Sequence, residues 1–475
     1  MGTEDLGTAR ADDDASAASY RIIALIIASA LFMETLDATV LATAIPTMAQ
    51  DFHVRAPQMS VALTAYLLAL ALFVPASGHA ADKWGAKNIF RAAIGVFMAG
   101  SLACAVAPNL PVMVVSRFAQ GIGGAMMVPV GRLVLLRTVS KRDLVAAYSW
   151  VLMPGLLGQI SGPPIGGFIV TYLHWRWIFR INLPIGAAGI FLVGRYIPDF
   201  RETIRRRFDW GGFALAGVAL AAALSGFETW GHGASMRIAG PLLAAAIVFG
   251  LAYAWHAGRA AHPILDLSLL ELPTFRLSFI GGSLTRITQG AQPFLLPLMM
   301  QLAFGLNAAQ SGMITLGTSL GTFMMKGFVR PILRRLGFRT SLTVIGVLGA
   351  CSYAVCGLFR PGWPFPLIFA VLVLSGFLMS FQFTAYNTIA YDEIEPERMS
   401  SANTFYSTFQ QLTLSLGICA AAAALHASMA LTRRPVPGFA DFSAAFWVVT
   451  AISLCSVFAN VRFDPQAGRQ MSGAR

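Results

Sequence analysis

The chain has 475 residues, of which 56% are hydrophobic and only 12% charged. Soluble domains carry about 25% charged residues, so the composition excludes an ordinary soluble protein and indicates an integral membrane protein. The formal net charge of +12 does not point to nucleic acid, because the basic residues sit in short loops between apolar runs, as the positive-inside rule describes.

Residues 1–21 are acidic and Ala/Ser-rich, with Asp12, Asp13 and Asp14. They lack the basic start of a signal peptide and read as a disordered tail. Apolar runs long enough for a ~20-residue span then recur near 22–46, 59–81, 89–107, 110–136, 145–170, 178–198, 210–228, 237–257, 274–303, 308–328, 340–358, 363–391, 403–430 and 440–461. These fourteen spans fall into six, two and six. The expected layout is a six-helix bundle over 22–198, a basic loop with two inserted helices and a linker over 199–272, a second six-helix bundle over 273–461, and a tail over 462–475. Such paired halves suggest parallel internal repeats around a midplane site.

Lys and Arg set the orientation. With the N-terminus in the cytoplasm, the inner loops hold Lys83, Lys87 and Arg91; Arg137, Lys141 and Arg142; Arg201, Arg205, Arg206 and Arg207; and Arg330, Arg334, Arg335 and Arg339. The outer loops hold fewer, so both termini are expected inside. One inner loop, with Asp392, Glu393, Glu395 and Glu397, is acidic instead. Trp175 and Trp177 flank Arg176 and read as an interfacial anchor.

The fifth span carries Gly158, Gly162, Pro163, Pro164, Gly166 and Gly167. Glycines four apart share a helix face and admit a neighbouring backbone, while the prolines remove ladder hydrogen bonds. Ionisable groups inside spans are functional candidates by default. Glu34 and Asp37 lie three apart in span one, where a low dielectric and a like charge favour holding a proton. Arg117 lies roughly 10 Å deep in span four and Asp37 roughly 13 Å deep from the same side, so an ion pair is expected. A static structural pair is the alternative. Span nine places Arg286, Gln289 and Gln292 beside Pro293 and Pro297, and these three polar residues are expected to line the central cavity, where Arg286 binds an anionic group or balances Glu34 and Asp37. Asn387 is a further cavity candidate, with interhelical hydrogen bonding as its structural alternative. Arg132 is expected to snorkel to the inner interface. The five cysteines (Cys104, Cys351, Cys356, Cys419 and Cys455) lack zinc-site spacing and read as packing residues. No phosphate-binding loop supports ATP as the drive, and no nucleophile–base or metal-ligand arrangement indicates an enzyme.

Four local motifs resemble the major facilitator superfamily, in particular its fourteen-span drug:proton antiporter branch. Leu36 to Pro46, including Asp37, is similar to that branch's first-helix motif. Gly78 to Lys87, with Asp82, Gly85 and Lys87, resembles the loop signature between spans two and three, although Ala80 and Ala86 depart from it. Arg117 to Ala125 resembles the fourth-span motif, and Gly158 to Gly167 the antiporter motif. Trp175 to Pro184 also looks like this branch. The resemblance implies an all-α polytopic membrane protein with the major facilitator fold, two six-helix bundles and two inserted helices. It implies Arg117 in proton transfer with Asp37, and Asp82, Gly85 and Lys87 as a charge latch. A degenerate latch near Gly327 to Arg339 keeps Gly337 and Arg339 but has no acid.

The expected function is a proton-coupled efflux antiporter of the bacterial inner membrane that exports small amphipathic compounds by alternating access. It is expected to use a proton gradient and no cofactor, metal, ATP or nucleic acid. The alternatives are a proton-coupled exporter of anionic metabolites and a non-transporting membrane sensor or scaffold.

Overall fold

The computed structural model describes residues 4–139, 143–198, 208–233 and 235–472, so Lys141, Arg142 and the basic run at 201–207 lie outside the described residues. The first half contains α1 (Glu4–Asp51), α2 (Ser60–Trp84), α3 (Ala86–Val106), α4 (Leu110–Thr138), α5 (Leu144–Tyr172), the single turn α6 (Trp177–Arg180) and α7 (Asn182–Tyr196). The inserted hairpin is α8 (Trp210–Gly231) and α9 (Met236–Ala257). The second half contains α10 (Pro273–Leu298), α11 (Ala308–Met325), α12 (Val329–Cys356), α13 (Phe365–Ile389), α14 (Met399–Thr432), α15 (Phe439–Leu454) and α16 (Ser456–Asn460), followed by the short α17 (Arg469–Ser472).

Among the described residues, eleven helical spans are long and apolar enough to cross a membrane. The long helices α5, α10 and α11, richer in glycine, proline and polar residues, complete the fourteen. A backbone in hydrocarbon must satisfy its polar groups internally, which is why every span is a helix.

Four local features differ from the sequence reading. α1 begins at Glu4, inside the tail expected to be disordered; its alanines favour helix and its acidic residues suit a helix N-terminus. The sixth span divides at Ile181 into α6 and α7. α10 runs on through Pro293 and Pro297 and ends in a π turn, Met299–Ala303. The indole of Trp175 is 1% exposed, donates to Asp51 Oδ2 at 2.8 Å and meets Phe52 edge to face. It therefore packs in the core, while Trp177 stays exposed.

The two halves repeat one packing scheme. α1 packs along α5 and α2 on α4; in the second half α10 packs along α14 and α11 on α13. Each half has a sharp turn at the matching place: Gly85 (φ 87) between α2 and α3, and Gly337 (φ 70) breaking α12. Positive φ favours glycine at both. The halves meet through α5 against α11 and α2 against α14. α9 packs on α8, and α8 lies against α14 and α2.

The core is divided unequally. At the end of the bundle remote from the termini, one cluster joins both halves, from Met48 and Phe52 through Trp175 to Phe294, Met299, Leu425 and Phe446. At the terminus-bearing end the apolar clusters are separate, one around Phe90 and Val134 and another around Phe338 and Phe381. The molecule is thus sealed at one end and parted at the other.

Candidate functional site

A buried polar network sits within the first half. Arg117 Nη1 donates to Asp37 Oδ2 at 2.5 Å and to Gln120 Oε1 at 2.6 Å. Asp37 Oδ1 accepts from Gln120 Nε2 at 2.9 Å and from Asn182 Nδ2 at 3.1 Å. Ser101 Oγ accepts from both amides, at 2.8 Å and 3.2 Å. The guanidinium lies 4.4 Å from the Tyr66 ring centroid. The expected Asp37–Arg117 pair is present, and its side chains are 0% and 1% exposed. Charge-assisted bonds on both carboxylate oxygens offset the cost of burying the ions. Gln120 and Asn182 lie within the sequence motifs, but nothing in their spacing shows that they converge on Asp37.

Glu34 takes another direction. Three residues along a helix leave about 60° between side chains, enough to send Asp37 into the network and Glu34 to the wall of a cavity. This cavity, about 630 Å³, lies between the halves and includes Glu34, Arg132, Gln410 and Gln411 in its lining, with Asp82 and Ser400 towards the terminus-bearing end. Glu34 Oε2 is enclosed with no hydrogen-bond partner. Arg132 is exposed on the cavity wall.

A second cavity of about 290 Å³ lies among α1, α5, α10, α11 and α13. Gln289 and Gln292 line it, beside hydroxyls of Thr39, Thr43, Thr315 and Thr318, and Lys326 is its charged lining residue. Arg286 and Asn387 line neither cavity, which corrects their assignment to the cavity wall. Arg286 is 2% exposed and donates to Asn387 Oδ1 at 3.3 Å. Its guanidinium lies 4.6 Å from the Tyr406 centroid and 5.6 Å from that of Phe383. Attraction to these ring faces draws it away from the open space, and Phe383 stands between it and the second cavity.

The latch residues do not pair with each other. Asp82 Oδ1 lies 3.4 Å from Arg137 Nη2 on α4, and Lys87 Nζ donates to Gly194 O on α7 at 2.9 Å. Gly85 makes the turn between them.

The glycine stripe of α5 meets a threonine stripe of α1. A Cβ at Gly158, Gly162 or Gly166 would strike Thr35, Thr39 or Thr43 respectively. The other face touches the second half: a Cβ at Gly167 would strike Ala308 O, and one at Gly312 would strike Pro163 O. Pro163 cannot bond to Gln159 O, four residues earlier. Ser319 of α11 donates to that freed carbonyl at 3.2 Å, so the proline opens a hydrogen-bonding position that the other half fills. Gln301 Nε2 to Thr43 O at 3.0 Å and Ala309 N to Thr171 Oγ1 at 2.9 Å also cross between the halves.

Two repeated helical halves around a cavity, with ionisable groups buried in the spans, define a membrane transporter rather than an enzyme. The sequence model of the Major Facilitator Superfamily matches residues 27–417 and, in an overlapping match, 278–473; the chain belongs to this family. It is 38% identical over 403 residues to the "Probable transport protein HsrA" of Haemophilus influenzae, covering 84% of this chain and 86% of that protein. It is 37% identical over 406 residues to the "Putative multidrug resistance protein MdtD" of Klebsiella pneumoniae, covering 84% and 85%. Among solved structures, a D-xylose-proton symporter superposes with a TM-score of 0.66 at 12% identity, covering 94% of this chain and 98% of that one.

Proposed function

We propose that the chain is a proton-coupled efflux antiporter that exports small amphipathic compounds by alternating access. The observation that carries this reading is the Asp37–Arg117 pair, held at 2.5 Å with almost no exposure. Protonating Asp37 removes the charge that holds Arg117 and loosens α1 from α4, so the network is a proton-operated contact. The name of the Haemophilus relative supports transport and that of the Klebsiella relative multidrug resistance, a phenotype that efflux of small compounds would give. The cargo binds between the halves, where Gln289 and Gln292 line the second cavity. Asp82, Gly85 and Lys87 hold the terminus-bearing ends of α2, α3, α4 and α7 in register, in the role of a latch. The basic loops support a cytoplasmic position for both termini, with the chain in the bacterial inner membrane and the parted end facing inward. A proton gradient supplies the drive, with no cofactor. Everted vesicles with an acid interior should lose their pH gradient when a transported compound is added, and Asp37→Asn should abolish that response. An unchanged response in Asp37→Asn removes the proposed role.

One observation favours a second reading, export of anions. Among the described residues no carboxylate lies within 4.0 Å of the Arg286 guanidinium, and its Nε has no partner. An anion that displaced Phe383 would supply the missing charge. A panel of anions compared with neutral isosteres should show selective loss of anion transport in Arg286→Ala; retained anion transport excludes this reading.

A further inference from the structure

Glu228 on the inserted hairpin is a buried carboxylate outside the site described above. It is 7% exposed, and among the described residues no Lys or Arg lies within 4.0 Å of it. Its two oxygens are held by opposite halves of the molecule. Oε1 accepts from Ser60 Oγ, the first residue of α2, at 2.5 Å, and Oε2 accepts from Cys419 Sγ of α14 at 2.7 Å. α2 and α14 form one of the two seams between the halves. The inserted hairpin therefore reaches across that seam through a single side chain.

A path leads from this carboxylate to the surface. His232, one turn after Glu228, places Nε2 3.2 Å from Ser60 Oγ and 3.2 Å from Pro57 O. Its side chain is 15% exposed and its Nδ1 lies 3.8 Å from Glu228 Oε1. The other groups facing this point are few. α14 contributes His426, whose ring meets Gly233, and Arg55, before α2, lies within electrostatic reach of it. α9 presents Leu243 to α8, and its one charge near this end, Arg237, has no ion pair among the described residues.

We infer that Glu228 is a proton-binding site, fed from the surface through His232 and Ser60, and that its charged form clasps the two halves at the sealed end. The transfer balances. Hydronium first protonates the ring of His232 and leaves as water; the imidazolium then gives its Nε2 proton to Ser60 Oγ while Ser60 gives its hydroxyl proton to Glu228 Oε1, so His232 ends neutral and one proton passes from solvent to Glu228. The acceptor for Cys419 then changes from a carboxylate to the carbonyl oxygen of a neutral acid. Charge-assisted hydrogen bonds are roughly twice as strong as neutral ones, so protonation weakens the tie to α14 and frees the sealed end to open. The inserted helices thereby gain a function, an acid-released clasp on the seam they cover. This rests on the alternating access proposed above but not on the identity of the cargo or on Asp37.

The test is a distance measurement across the sealed end in proteoliposomes. Spin labels are attached to Pro108→Cys and Gly362→Cys, which lie on exposed loops of opposite halves, with Cys351 and Cys455 replaced by serine. In otherwise wild-type protein the long-distance population should rise about fivefold between about pH 8 and about pH 5. Glu228→Gln, the neutral mimic, should show the raised population at both pH values. A Glu228→Gln protein that responds to acid as the wild type does overturns the proposal, and so does a wild type without any acid response. If Glu228→Gln does not fold, Cys419→Ala serves instead: it should raise the long-distance population at the higher pH, and a distribution identical to wild type overturns the clasp. His426→Gln should keep the acid response; its loss there transfers the effect to His426 and overturns the assignment to Glu228. No substrate is needed, so failure of proton-coupled transport and failure of the clasp are separate results.

Discussion

Asp37 and Arg117 are both almost fully buried, so each depends on the other for its charge. Removing one partner of a buried ion pair costs about 3–5 kcal/mol because the remaining charge is stranded, whereas removing both costs much less. Asp37→Asn should therefore lower thermal stability in detergent, and the double variant Asp37→Asn/Arg117→Gln should recover a substantial part of the loss. Equal melting temperatures for the single and double variants would show that the pair is not what holds this network together. Outside the membrane, Asp266 in the linker before α10 accepts from Arg398 Nη2 at 2.8 Å and from Ser268 Oγ at 2.6 Å. Partial burial pushes its carboxyl up, but the bonds from Ser268 and Arg398 and the Arg398 charge outweigh this and hold it below the usual carboxylate value of 3.8. The stabilisation is present above the unfolded pKa and is lost as the pH falls through the lower folded value. Melting temperature should thus fall on acidification below about pH 4, and Asp266→Asn should flatten that limb. The Asp37–Arg117 pair is legible in the sequence because helix rise alone sets depth. Whether Glu34 or Arg286 faces open space is not, because a difference of about 60° around a helix, or a nearby aromatic ring, decides it.

At the scale of the helix, the fit of α5 against α1 depends on three glycines facing three threonines. A methyl group at Gly162 would overlap the Thr39 side chain, and inserting a carbon into a packed interface typically costs about 1–3 kcal/mol. Gly162→Ala should lower the melting temperature and reduce transport, and Thr39→Ala in the same chain should restore both in part by clearing the space. Gly162→Leu is too large for such relief and should abolish transport. The spacing of the glycines discloses a close contact in the sequence, but it does not identify the partner. That one face of α5 meets α1 while Pro163 and Gly167 meet α11 follows from the rotation of the helix in the bundle. The serine that takes the carbonyl freed by Pro163 lies 160 residues away, beyond any local pattern.

Across the whole molecule, the two halves were legible from the count of apolar runs, and the structure adds the paired turns at Gly85 and Gly337. The division of the core was not, since which end is sealed depends on side chains from both halves meeting in one cluster. Among the described residues, three hydrogen bonds cross between the halves with a backbone atom on one side: Ser319 to Gln159 O, Gln301 to Thr43 O and Ala309 N to Thr171 Oγ1. Each neutral bond of this kind contributes about 1 kcal/mol net. Together they amount to a few kcal/mol, the gap at which a minor conformer is populated at about 0.1–10%. A closure built this way is reversible at thermal energies, and a ligand that binds the two states unequally by only a few kcal/mol can decide which one prevails.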